Sequence, residues 1–97
     1  MEVLLVEDDP VIGKSLQRGL QESGHGCVWV RSGEEGLDQG VTQRYEVIVL
    51  DLMLPVMGGL DVLNSLRNKG ILTPVVILTA LGTVDERVEG LRNGADD

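Results

Sequence analysis

Four short apolar runs constrain this chain more than any other feature: Val3-Leu4-Leu5-Val6, Cys27-Val28-Trp29-Val30, Val47-Ile48-Val49-Leu50 and Val75-Val76-Ile77-Leu78. Each is continuous where a half-exposed strand would alternate. Continuity over so few residues is the pattern of strands covered on both faces, as in a parallel sheet. Stretches with a helical repeat separate the runs. Ile12, Leu16 and Leu20 recur every four positions between Pro10 and Ser23. Asp9-Pro10 reads as an N-cap with proline at the first helical position, and Gly24 ends the segment. A capping box, Ser32-x-x-Glu35, opens a second helix over Ser32 to about Gln39, with Leu37 and Val41 four apart. A third runs from Leu60 to Asn68 on Leu60, Leu63 and Leu66, with Gly70 beyond it. A fourth, Thr83 to Asn93, opens with Thr83-x-x-Glu86 and stacks Val84, Val88 and Leu91 before Gly94.

Strands alternating with helices imply right-handed crossovers and an α/β, doubly wound parallel sheet with helices on both faces. The 97 residues suffice for one domain, residues 1–97. The chain is 42% apolar, enough for a core, yet 16 Asp+Glu against 8 Lys+Arg leave a net charge of −8. That balance opposes a nucleic-acid or anionic-membrane surface, either of which needs a basic face. The single cysteine, Cys27, cannot close an internal disulfide. Met1-Glu2-Val3 lacks a signal-peptide layout, and no run reaches the ~18 residues of a membrane span. A cytoplasmic protein is the expectation.

In open α/β sheets, function gathers at the carboxyl ends of the strands. Glu7-Asp8-Asp9 follows the first run, Asp51-Leu52-Met53-Leu54-Pro55 the third, and Thr79-Ala80 the fourth. If the first and third strands are neighbours, Glu7, Asp8 and Asp51 converge. Clustered carboxylates repel unless they hold protons or a cation. A donor set of oxygens alone points to Mg²⁺ or Ca²⁺, and few protein ligands favour Mg²⁺ with room for phosphate oxygens. A carboxylate beside Mg²⁺ can attack phosphorus to give an aspartyl phosphate. Asp51, ending the most apolar central strand, is the candidate nucleophile, and the hydroxyl of Thr79 could hydrogen-bond a phosphoryl oxygen. Asp9 is explained by its capping role, and Cys27 and Trp29 by packing.

Val6-Glu7-Asp8-Asp9, Val49-Leu50-Asp51-Leu52-Met53-Leu54-Pro55-x-Met57-x-Gly59, Pro74-Val75-Val76-Ile77-Leu78-Thr79-Ala80 and Gly94-Ala95-Asp96-Asp97 together resemble the successive motifs of two-component response-regulator receiver domains. The likeness runs the whole length in order. It is nearest the OmpR/PhoB-like branch, which carries a C-terminal winged-helix DNA-binding domain. The resemblance implies a flavodoxin-like (CheY-like) fold with strand order 2-1-3-4. It implies that Asp51 accepts phosphate from a sensor histidine kinase. Asp8 would bind Mg²⁺ directly, Glu7 would do so through water or support it, and Asp51 and the main-chain carbonyl of Met53 would be further ligands. Thr79 would be the switch hydroxyl, and the small Ala80 would leave the phosphate accessible. The protein would be a phospho-accepting switch, not an enzyme acting on a separate substrate, and this domain would touch neither nucleic acid nor membrane.

The family pattern continues into a fifth strand, which carries a lysine, and a fifth helix; both lie beyond Asp97. Without them the fourth strand is a sheet edge and one face of the first helix is uncovered. The expectation is weak stability as a monomer, and a homodimer or element-swapped oligomer. The alternative function is a receiver-like binding or oligomerisation module that is not phosphorylated. A haloacid-dehalogenase-type phosphatase would need an aspartate two residues after the nucleophile, where Met53 stands. A flavin module would need a phosphate loop where Glu7-Asp8-Asp9 stands.

Overall fold

The computed structural model describes residues 1–78. Four strands, β1 (Glu2–Val6), β2 (Gly26–Val30), β3 (Val47–Asp51) and β4 (Val75–Leu78), alternate with α1 (Pro10–Glu22), α2 (Gly33–Thr42) and α3 (Gly59–Asn68). All pairings are parallel, in the order β2-β1-β3-β4. Thr79, Ala80, the helix expected over Thr83 to Asn93 and the Gly94-Ala95-Asp96-Asp97 motif lie outside the described residues. No helix among those described is long and apolar enough to cross a membrane.

β1 is flanked on both sides by strands and covered on both faces, and Val3, Leu4, Leu5 and Val6 are at most 1% exposed. It is more completely buried than β3, the run that looked most central from composition, where Val47 and Val49 are half-buried. On one face Leu4, Val6, Ile48, Leu50 and Val75 pack against Val62, Leu63 and Leu66 of α3. α1 lies against β2 and β1 on the other face, with Gly13 beneath the indole of Trp29.

Burial departs from the simple apolar pattern in three elements. β2, an outer strand among the described residues, is covered less completely than β1, and Val28 is exposed. Val30 still packs against the core on one face and Trp29 against α1 on the other. The buried residue of α1 is Gly13, while Ile12 is exposed and Leu16 and Leu20 are half-buried. In α2 the buried residues are Gly33, Gly36 and Gly40, and Val41 is exposed. These glycines bring helix backbone onto the sheet and its neighbour: a Cβ on Gly36 would stand 2.7 Å from Val6 Cγ2, and one on Gly40 2.9 Å from Leu66 Cδ2.

Helix caps follow the sequence. The Asp9 carboxylate accepts from the N–H of Val11 (2.8 Å) and Ile12 (3.1 Å), behind Pro10 at the first turn. Ser32 Oγ accepts from Glu35 N–H at 3.1 Å and donates to the Glu35 carboxylate at 3.0 Å.

Candidate functional site

β1 and β3 are adjacent and parallel, with Val6 beside Leu50, so the residues that follow emerge side by side at the carboxyl end of the sheet. Glu7, Asp8 and Asp51 each bring a carboxylate oxygen to within 4.8 Å of the other two. Glu7 is 4% and Asp51 9% exposed, and Asp8 is half-buried. The convergence expected from sequence is thus present.

The local hydrogen bonds explain the geometry. Met53 N–H donates to Asp51 Oδ1 at 3.0 Å, which fixes the Asp51 carboxylate over the start of its own loop. That loop is tied back twice: Leu52 N–H donates to the Leu78 carbonyl at 2.8 Å, and Gly59 N–H to the Leu52 carbonyl at 3.2 Å. Gly59 must be glycine here, because a Cβ would meet the Asp51 carbonyl oxygen at 2.3 Å. Between these anchors Leu54 turns inward, while Val56 sits at φ 64° and is 99% exposed. A β-branched residue in the left-handed region is sterically strained. Asp9 N–H donates to Glu7 Oε2 at 3.1 Å, so the residue that caps α1 also steadies the acidic cluster.

Burial disfavours the Glu7 carboxylate and, only partly offset by the Asp9 N–H, raises its pKa from 4.5 to about 7; neighbouring Asp51 and Asp8 push it the same way. A proton on Glu7 is one way for the three acids to relieve their repulsion. A bound cation would do so more completely. The donors are oxygens on two adjacent strand ends, which suits a hard divalent ion that keeps some of its waters. The residues fit Mg²⁺ on their chemistry.

Trp29 and Arg31 are neighbours of the acidic cluster that sequence reasoning missed. The indole N–H donates to the Glu7 carbonyl at 2.8 Å, and the Arg31 guanidinium donates twice to the Asp8 carbonyl, at 3.3 and 3.0 Å. No sequence signal marks these contacts, since they depend on β2 lying beside β1. Met53 lies two residues after Asp51, with its side chain exposed.

Comparison with known proteins points one way. Residues 3–97 match the family described as response regulator receiver domain. The chain is 45% identical over 97 residues to the transcriptional regulatory protein QseB of Escherichia coli O157:H7, and 44% identical to the response regulator protein PmrA of Pseudomonas aeruginosa. All of the chain is covered in both, but it spans only 44% of either relative's length. Among solved structures, a Francisella response regulator receiver domain superposes with a TM-score of 0.94 at 38% identity, covering 99% of this chain and 79% of that one. The receiver domain of a sensor histidine kinase from Pseudomonas aeruginosa PAO1, with a magnesium ion coordinated in its active-site cleft, gives 0.89 at 32% identity, covering 99% and 80%.

Proposed function

Because the chain belongs to the response regulator receiver domain family, we propose that Asp51 takes up a phosphoryl group from the phosphohistidine of a sensor histidine kinase, in a Mg²⁺-dependent reaction. The observation that carries this reading is the meeting of Glu7, Asp8 and Asp51 at the carboxyl ends of two adjacent parallel strands. A carboxylate oxygen of Asp51 attacks phosphorus; the new O–P bond forms as the P–N bond to the donor imidazole breaks, and the imidazole leaves with the electron pair. The Met53 N–H holds one Asp51 oxygen and so sets the direction of attack. Glu7, Asp8 and Asp51, with the Met53 carbonyl, would hold the cation, as the family likeness implies. Mg²⁺, when bound, screens the charge of the incoming phosphoryl oxygens. Thr79 and Ala80 keep the roles of switch hydroxyl and small, permissive neighbour.

The wider reading is a cytoplasmic phosphorelay protein in which this domain, residues 1–97, controls a C-terminal winged-helix DNA-binding domain. The relatives with printed regulatory names, about twice as long as this chain, support it. Self-association, as a homodimer or an element-swapped oligomer, belongs to the same reading. No observation favours the unphosphorylated binding module.

Incubation with a small acyl-phosphate donor and Mg²⁺, followed by intact mass measurement, tests the proposal. One added phosphoryl group is expected, lost in Asp51→Asn and with a chelator. Phosphorylation that persists in Asp51→Asn would remove Asp51 from the role.

A further inference from the structure

The Glu7-Asp8 dipeptide leaves β1 with both of its main-chain carbonyls held from the neighbouring outer strand. Trp29, in β2, donates its indole N–H to the Glu7 carbonyl at 2.8 Å. Arg31, the residue after β2, donates through Nε and Nη2 to the Asp8 carbonyl at 3.3 and 3.0 Å. The Glu7 N–H in turn donates to the Val30 carbonyl at 3.0 Å. Consecutive peptide groups are therefore anchored at the point where regular pairing with β2 ends. Rotation of either peptide would swing the carboxylates of Glu7 and Asp8 away from Asp51.

We propose that Trp29 and Arg31 are positioning residues of the cation site, holding the Glu7 and Asp8 carbonyls so that the two carboxylates converge with Asp51. This rests on the reading of those carboxylates as Mg²⁺ ligands. Packing does not require it: the Trp29 ring already fills the space over Gly13, where a Cβ would meet indole atoms at 2.2 to 2.5 Å, and the N–H is a separate, directed contact. Arg31 is more informative. It is exposed and adjoins an acidic cluster, yet its fork spans a neutral carbonyl. Its charge alone opposes a nearby cation. Its hydrogen bonds favour one, because partners that orient ligands sustain metal affinity. The two roles predict opposite signs on removal.

Calorimetric titration of Mg²⁺ into the wild type, Trp29→Phe, Arg31→Ala, Arg31→Lys and Asp8→Asn separates them. Trp29→Phe keeps an aromatic ring at this position and removes the N–H donor together with the second ring of the indole. Trp29→Phe and Arg31→Ala should each weaken Mg²⁺ binding about tenfold, the lower end for partners that orient metal ligands. Arg31→Lys, with the charge but no fork, should also weaken it. In the wild type and Arg31→Lys, Trp29 emission should change as Mg²⁺ saturates, giving a second readout. Tighter or unchanged binding in Arg31→Ala, or unchanged binding in Trp29→Phe, overturns the proposal while a weakened Asp8→Asn leaves the cation site standing. Unchanged affinity in Asp8→Asn overturns both. Circular dichroism melts confirm folding, and if Arg31→Ala fails to fold, Arg31→Lys and Trp29→Phe decide.

Discussion

The carboxylates of Glu7 and Asp51 end two neighbouring parallel strands with oxygens within 4.8 Å of each other, and Glu7 is the deeper of the two. This places a titration in the physiological range. The Glu7 pKa is about 7 in the folded chain against an ordinary 4.5, chiefly through burial. Between those values the folded state keeps a proton that the unfolded state has lost, so this group's contribution to stability falls as pH rises from about 4.5 to 7. Without divalent ions, the melting temperature of the wild type should fall across that window relative to Glu7→Gln, which keeps the shape and cannot ionise. Mg²⁺ binding requires the deprotonated acid, so its affinity should rise with pH through 7. Parallel pH profiles of wild type and Glu7→Gln would refute the assignment.

Glycine substitutions should divide by position. Gly19 lies within α1 and a Cβ there would meet nothing within 4 Å, so Gly19→Ala should stabilise by up to about 1 kcal/mol through helix propensity. At Gly59 a Cβ would meet main-chain atoms of Asp51 and Leu52 at 2.3 to 3.0 Å, and backbone yields less readily than a side chain. Gly59→Ala should cost about 1 to 3 kcal/mol, as overpacking does. Denaturant melts distinguish the two, and equal effects would contradict the local geometry.

Much of this was legible beforehand. The runs at Val3–Val6 and Val47–Leu50 and the acids behind them announce both the inner strands and the convergence of Glu7, Asp8 and Asp51. Asp9-Pro10 announces the start of α1. What could not be read has a common cause. Periodicity counts large apolar side chains, so it favoured Ile12 and Val41, which are exposed, over Gly13, Gly36 and Gly40, whose burial comes from having no side chain. Likewise the Trp29 and Arg31 contacts end on main-chain carbonyls, which every residue has and no motif records.

The loop after Asp51 carries its own prediction. Val56 holds φ at 64° with its side chain 99% exposed, so the strain is offset by no burial of its own. Non-glycine residues in that region cost on the order of 1 to 3 kcal/mol. Val56→Gly should raise stability by about 1 kcal/mol once the entropy of a glycine is deducted. A measurable loss in an equilibrium melt would mean that the Val56 side chain makes contacts outweighing the strain.

The central claim is that phosphate enters on Asp51 and depends on the acids of β1. Borohydride reduces an acyl phosphate, so an aspartyl phosphate is trapped as homoserine at its own position. Phosphodonor treatment with Mg²⁺, borohydride reduction and peptide mass mapping should place that change at residue 51 in the wild type, and leave it strongly reduced in Asp8→Asn. Trapping at another carboxylate, or at residue 51 with equal yield when Mg²⁺ is chelated, would contradict the account.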